Sequence, residues 1–455
     1  MDSTTFTLNT NAQVNGSGES YVAYIFAHND GDGEFGPDGD QDIIKCGSYT
    51  GNDTSQEIDV GFEPQWLMIK SSSRDSDWLI VDSMRNWMTS KLGSGDSSIL
   101  EANTSDAESA YTRIHPSANG FGFDQEAGSW ANQSGHTYIY IAIRRGTKVP
   151  ESATEVFNID VRDDTDAPMY KSGFVTDFSL YRDKAGNDDW RAQSRLTGKF
   201  TLFPNTTAAE SSIYNSTTWD FMNGFHEAGS INTGYLSWMW KRAPGYFDAV
   251  AYTGNGTAGR TVSHNLGVAP EMMWVKSRAN IEDWSVYHAG ITNPEQNYLY
   301  LNSNLAVNAN SNTIRYWNHT NPTDSVFTLG DETRVNGSAY TYIAYLFASL
   351  DGVSKVGSYT GTGSTDITID CGFTAGARFV LIKRTNSSGN WWIADTSRGI
   401  VSGNESLLAL DSTAAQQTAY SMVEPSSSGF IVNGGAGSDN SWNGSGDSYI
   451  FYAIA

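Results

Sequence analysis

The 455-residue chain has few cysteines, few charged side chains and no long apolar run. Its two cysteines, Cys46 and Cys371, stand at unmatched places, which excludes a repeated disulfide framework. Helical periodicity is nearly absent, and no stretch is apolar enough to predict a transmembrane helix. Residues Met1 to Thr5 are polar and lack a basic region, so we expect no secretory signal peptide.

Basic residues are scarce. Lys and Arg total 28 against 51 Asp and Glu, giving a formal net charge of −23. Contacts to nucleic-acid phosphates need Lys and Arg, so we expect no nucleic-acid partner. The same charge disfavours anionic membranes, and we expect no membrane insertion. Its simplest interpretation is a surface that resists self-association.

Glycine and aromatic residues are abundant instead, with 45 glycines and 13% Phe, Trp and Tyr. Together with many Ser, Thr and Asn residues, this composition favours short twisted strands joined by tight turns. The sequence therefore predicts an all-β protein.

A Tyr-rich strand pattern occurs five times, about 100 residues apart, which is the size of a small domain. The copies begin at Tyr21, Tyr138, Tyr235, Tyr342 and Tyr449. An Asn stands six residues before four of these tyrosines, and three of these Asn residues open the triplet Asn-Gly-Ser. We interpret that triplet as a tight turn rather than a glycosylation site.

Each repeat contains roughly seven or eight short apolar runs, the number expected of a two-sheet sandwich. We therefore predict a tandem array of about four β-sandwich, jelly-roll-like modules, preceded by the last hairpin of a partial module. The predicted ranges are 1–28 for that hairpin, 29–43 for an acidic linker, 44–146, 147–244 for a divergent module, 245–349 and 350–455. The out-of-phase start favours a fragment of a longer protein.

The spacing from the basic residue at the end of the third predicted strand to the Trp that starts the fourth is the same in all four modules. The pairs are Lys70 and Trp78, Arg182 and Trp190, Lys276 and Trp284, and Lys383 and Trp391. This predicts a shared strand register, with the tryptophans in the core.

The acidic linker is a candidate calcium site. Its alternating carboxylates and glycines resemble a calcium-binding loop, and the candidate ligands are Asp30, Asp32, Asp38, Asp40 and Asp42. The bidentate Glu and the flanking helices of an EF-hand are missing. A solvated acidic linker is the alternative interpretation.

Two tryptophans in polar, Gly-rich segments before the last strand, Trp130 and Trp442, are candidates for stacking on a sugar. The alternative is that each covers one end of its sandwich. Asp82 and Arg85, echoed by Asp395 and Arg398, could form a site, but a structural ion pair at a strand end is the expected use.

Catalytic signatures are missing from the sequence. The seven His residues show no metal-ligand spacing, and neither a Gly-x-Ser-x-Gly elbow nor a phosphate-binding loop is present. We therefore expect no enzymatic activity.

The stretches Asp38–Gly51 and Phe62–Lys70, with the Asn-Gly-Ser-x-x-Tyr strands, resemble a repeat domain of unknown function in structural and tail-fibre-like proteins of marine bacteriophages, notably cyanophages. The resemblance covers residues 1–146 and 245–455. It implies a virion protein, assembled in the host cytoplasm, that contacts other virion proteins and forms a homo-oligomer. A trimer is the expectation by analogy with phage fibres. A carbohydrate-binding adhesin that contacts host surface polysaccharide is the alternative function, and a polysaccharide depolymerase is a third.

Overall fold

The computed structural model describes residues 4–27, 42–89, 97–110, 113–124, 128–163, 165–213, 216–227, 234–309, 315–403, 405–434 and 441–455. Within these ranges nearly all regular structure is antiparallel β-sheet. The prediction of an all-β array of two-sheet modules is confirmed. We call the ranges 44–146, 147–244, 245–349 and 350–455 modules 1 to 4.

The predicted N-terminal hairpin is not formed. Residues 4–27 contain one short helix, α1 (Ala12–Asn15), and no strand. The turn that follows does resemble those of the modules, because the backbone N–H of Gly16 donates to the hydroxyl of Tyr21 at 2.8 Å. A strand needs a hydrogen-bonded neighbour, and the described residues provide none for Tyr21 to Ala27.

Module 1 packs a six-stranded sheet, in the order β1-β9-β3-β4-β5-β6, against a small sheet in the order β2-β8-β7. A 3₁₀ turn (Ser83–Arg85) follows β4, and helix α2 (Gly128–Ala131) precedes the last strand. The strands are β1 (Ile44–Thr50), β2 (Gln56–Asp59), β3 (Pro64–Ser71), β4 (Leu79–Asp82), β5 (Ser98–Glu101), β6 (Ser109–Ala110), β7 (Ile114–Ser117), β8 (Gly120–Phe123) and β9 (Thr137–Arg144).

Module 2 is reduced to a four-stranded sheet, β10-β16-β12-β13, and a small sheet, β11-β15-β14. Isolated bridges from Ala192 to Leu202 and from Thr201 to Ser211 stand where the other modules have further strands. After a 3₁₀ turn (Ala153–Glu155), the strands are β10 (Phe157–Val161), β11 (Tyr170–Lys171), β12 (Phe178–Asp183), β13 (Arg191–Ser194), β14 (Thr217–Thr218), β15 (Gly224–Glu227) and β16 (Tyr235–Trp240).

Module 3 repeats the six-stranded order as β17-β24-β19-β20-β21-β22, with β18 and β23 as its small sheet. Its strands are β17 (Phe247–Thr253), β18 (Arg260–Ser263), β19 (Met272–Ser277), β20 (Ser285–His288), β21 (Asn297–Tyr300), β22 (Asn308–Ala309), β23 (Val326–Leu329) and β24 (Thr341–Phe347), and helix α3 (Thr333–Asn336) precedes β24.

Module 4 has the same six-stranded order, β25-β33-β27-β28-β29-β30, and a small sheet, β26-β32-β31. Its strands are β25 (Ser354–Thr360), β26 (Ile367–Asp370), β27 (Phe379–Arg384), β28 (Trp391–Asp395), β29 (Glu405–Ala409), β30 (Gln417–Tyr420), β31 (Val423–Ser426), β32 (Gly429–Val432) and β33 (Ser448–Ile454).

The repeated Tyr strand ends each module in sequence, but it lies inside the large sheet, between the first and third strands. Its Tyr stands opposite a Tyr of the first strand in three modules, as in the pair Tyr49 and Tyr138. The two rings stack, with centroids 4.9 to 5.1 Å apart. This placement explains why the Tyr strand is the best-preserved part of the repeat.

Modules 2, 3 and 4 share a single apolar core in addition to the core inside each sandwich. On the face of each large sheet that points away from the small sheet, large side chains such as Trp238, Tyr345 and Tyr452 pack together with at most 1% exposure. The strands of these modules are therefore apolar on both faces, as expected of sheets covered on both sides.

The three modules close a ring. The fourth-strand Trp of each donates its indole N–H, at 2.9 to 3.0 Å, to a backbone carbonyl of the next module: Trp190 to Ala409, Trp391 to Tyr300, and Trp284 to Phe203. The basic residue eight positions earlier donates to a backbone carbonyl in the same cyclic order. The pairs are Arg182 and Thr413, Lys383 and Asn304, and Lys276 and Thr207, at 3.0 to 3.3 Å.

We call each of these three contacts between modules, marked by Trp190, Trp284 or Trp391, a seam. Backbone hydrogen bonds repeat at the same three seams. The N–H groups of Gln416, Val307 and Glu210 donate to the carbonyls of Lys184, Thr385 and Arg278 at 2.8 to 2.9 Å. Each bond occupies the same position relative to the seam tryptophan. The shared spacing of the basic residue and the Trp thus marks the contact between modules as well as the register.

Candidate functional site

The predicted calcium site falls largely outside the described residues, because Asp30, Asp32, Asp38 and Asp40 lie there. Asp42 is described, and its carboxylate lies 3.5 Å from the ammonium group of Lys45. Among the described residues, no group of three or more His, Cys, Asp and Glu side chains is arranged to hold a metal ion. Calcium binding by the linker stays a prediction.

Trp442 is a core residue. Its side chain is 2% exposed and packs edge-on against Tyr420, with ring centroids 5.9 Å apart. A buried ring cannot stack on a sugar, so the structure removes Trp442 from the candidate sugar-binding residues. The hydroxyl of Tyr359 donates to the Trp442 carbonyl at 2.6 Å, as Tyr49 does to Ala131.

Trp442 is therefore equivalent to Ala131 and not to Trp130. Counting back from the last-strand Tyr gives the same result, since Trp442 lies seven residues before Tyr449 and Trp130 lies eight before Tyr138. This one-residue difference was visible in the sequence. On the surface of module 1, the Trp130 side chain is 43% exposed.

The Asn six residues before the last-strand Tyr is a buried cross-link that sequence reasoning interpreted only as a turn. In module 4, Asn443 Oδ1 accepts from the N–H of Thr362 at 2.7 Å, and its Nδ2 donates to the carbonyls of Thr365 and Asn433 at 3.1 Å. Asn132 and Asn336 make equivalent bonds in modules 1 and 3. A side chain buried in this way is closed to glycosylation.

The two Asp–Arg pairs are structural, as expected. Asp82 accepts from the N–H groups of Met84 and Arg85 at 3.0 Å and from Arg85 Nε at 2.7 Å. Asp395 holds Arg398 in the same way, and it also accepts from the indole of Trp238 in module 2 at 3.1 Å. This second pair belongs to a ring seam.

A cleft of about 310 Å³ lies where module 1 meets module 2. Its walls combine charged groups with the apolar side chains of Met84, Trp87, Leu196 and Met222. This volume lies at the lower end of the range of small-molecule sites. No sequence motif pointed to the cleft, because its residues come from distant parts of the chain.

Paired charges dominate one wall of the cleft. Arg242 binds both carboxylate oxygens of Glu63 at 2.5 to 2.6 Å and one of Asp248 at 2.7 Å, and Arg145 lies 3.4 Å from Asp248. Burial alone would raise the pKa of Asp248, but the charges of Arg242 and Arg145 outweigh it and hold this pKa below its usual value.

Arg195 completes the joint across the cleft. It donates to the carbonyls of Ser83 in module 1 and Trp219 in module 2, at 2.9 and 2.6 Å. Burial lowers the pKa of this guanidinium. Because these arginines and carboxylates use their polar atoms on one another and on the backbone, the arrangement clamps module 1 to modules 2 and 3.

No helix among the described residues has the length and apolar character to cross a membrane. No curated protein and no solved structure matches the chain. A family model described as a domain of unknown function (DUF7483) matches residues 1–145 and 163–455.

Proposed function

We propose that this chain, which belongs to the DUF7483 family of unknown function, is a non-enzymatic structural protein of a bacteriophage particle. Its place would be a tail fibre, an appendage or an outer decoration, assembled in the host cytoplasm beside other virion proteins. The resemblance of the repeat to phage structural proteins is the reason for assigning the chain to a phage particle. A contribution to host attachment is part of the proposal.

The observation that carries this proposal is the closed ring of modules 2, 3 and 4. Three sandwiches that share one core and three repeated seams form one closed block. The polar groups buried in the joints are used to hold modules together, as with Arg242 and Glu63. Buried polar groups that join modules to one another suit a structural role.

Immunogold labelling of purified particles of the phage that encodes the chain tests the proposal. We expect gold at one structural feature of the particle and the chain among the particle proteins in mass spectrometry. Particles that lack the chain by both measurements would refute it.

The exposed ring of Trp130 favours carbohydrate binding as a second function. The Trp130→Ala variant should lose retention on host envelope polysaccharide, while Ile281→Ala, which truncates another exposed apolar side chain, should keep it. Equal retention of the two variants would exclude Trp130 as the contact.

A further inference from the structure

Module 1 presents the same sheet face that modules 2, 3 and 4 bury in the ring. Strand register makes Trp66, Met68 and Ile80 equivalent to Met272, Trp274 and Val286 of module 3. The face also contains apolar side chains from three other strands, β1, β5 and β9. These further members are Ile44, Leu100, Ile139, Ile141 and Ile143.

This face has no partner among the described residues. None of these eight side chains is buried, although the alternate residues of β3, Leu67 and Ile69, are buried under the small sheet. Ile139 is 40% exposed, whereas the equivalent Ile343 and Ile450 are at most 1% exposed. A continuous apolar sheet face of this kind marks an interaction surface.

The seam groups of module 1 are also in place. The backbone N–H of Trp78 donates to Asn103 Oδ1 at 2.8 Å, as Trp284 does to Asn302 at 2.9 Å, so the two segments have the same local conformation. The Trp78 side chain is 36% exposed, against 0% for Trp284. No described residue accepts from its indole N–H.

The acceptors of such a seam occur in the same module. Leu79 pairs with Glu101 as Ser285 pairs with Tyr300, which makes the Glu101 carbonyl equivalent to the acceptor used by Trp391. Donor and acceptor lie on different parts of one surface. A surface of this type joins head to tail and closes as a ring when the rotation permits, and within this chain it closes with three modules.

We propose that three copies of this chain associate through module 1, with the three equivalent faces packed as modules 2, 3 and 4 pack within one chain. Trp78 of each copy donates to the Glu101 carbonyl of the next, and Lys70 reaches the Ser105 carbonyl. The assembly thus repeats between chains the ring that each chain already forms. This inference does not depend on the proposed function.

Sedimentation equilibrium of the full chain tests this proposal. We expect a mass three times that of the 49.6 kDa chain. Ile139→Asp, which places a charge on the exposed face, should give a monomer with an unchanged circular dichroism spectrum. Ile213→Asp, at a 71% exposed position of module 2, should remain a trimer.

A milder variant, Trp78→Phe, should weaken association about tenfold per seam, since it removes one hydrogen bond. A monomeric or dimeric wild-type protein at micromolar concentration overturns the proposal, and so does a trimer that Ile139→Asp leaves intact. In the first case the face does not bring three copies of the chain together. In the second case the trimer uses another surface.

Discussion

At the scale of single residues, the repeat preserves groups that join distant backbone segments. In modules 1, 3 and 4, the Asn before the last strand and the Tyr that starts that strand bind backbone atoms of the loop between them. The Asn also binds backbone atoms of the turn after the first strand. The sequence revealed their spacing, but the partners of a buried amide depend on which loops the fold brings together. Their role was therefore beyond sequence reasoning.

The Asn443→Ala variant should lower the free energy of unfolding by about 2 to 3 kcal/mol, because it removes three hydrogen bonds of a buried side chain, one from the N–H of Thr362 and two to the carbonyls of Thr365 and Asn433. Urea unfolding followed by tryptophan fluorescence measures the change. Asn15→Ala is the control, since the bond of Asn15 to Asn9 is exposed. Equal losses for the two variants would contradict a role for burial.

His288 should make the ring weaker in acid. It is fully buried where module 3 meets module 4, its Nε2 lies 3.3 Å from the Phe451 carbonyl, and burial lowers its pKa to about 4. In the unfolded chain the pKa is near 6.5. Between these values the unfolded chain binds a proton that the folded chain does not, so stability falls as the pH drops from about 6.5 to 4.

We expect the stability of the wild type relative to His288→Gln to fall by up to about 3 kcal/mol across this pH interval. Urea unfolding of both proteins at several pH values gives this difference. A difference that stays constant with pH would show that His288 titrates normally in the folded chain.

At the scale of strands and loops, the sequence predicted the type and order of elements well, because short apolar runs bounded by turn residues are specific to β-structure. It also predicted buried fourth-strand tryptophans, which holds for Trp190, Trp284 and Trp391 but not for Trp78. The exception arises because the neighbouring module of the ring covers the other three tryptophans, whereas module 1 lies outside the ring. Apolar residues on both faces of β27, such as Val380 and Leu381, were the available signal.

The seam bond of Trp284 should protect the amides on both of its sides. In Trp284→Phe, the N–H groups of Glu210 and Glu282 should exchange with deuterium faster, because the bond to the Phe203 carbonyl is lost. Trp317→Phe is a matched control, since the indole of Trp317 donates to Asn297 within module 3. Equal effects of both variants on the two amides would argue against a local seam.

At the scale of the whole molecule, the arrangement of the modules is the feature that the sequence did not predict. Repeats of equal size predict a string of modules as readily as a ring, since the repeat length contains no information on contacts between distant copies. The divergence of module 2 has a physical counterpart here. Its side chains in the shared core, Trp238 and Trp240, are larger than the equivalent Ile141 and Ile143 of module 1.

The most direct test of the ring is the seam between modules 2 and 4, because a linear string would keep these modules apart. The backbone N–H of Ala415 donates to Asn187 Oδ1 at 3.1 Å across this seam; Asn187 is exposed and Ala415 is half-buried. In the double variant Asn187→Cys and Ala415→Cys, treatment with a short bifunctional maleimide followed by peptide mass spectrometry should find the two cysteines linked within one chain. Each single variant should give no such link, and a double variant that also gives none would contradict the ring.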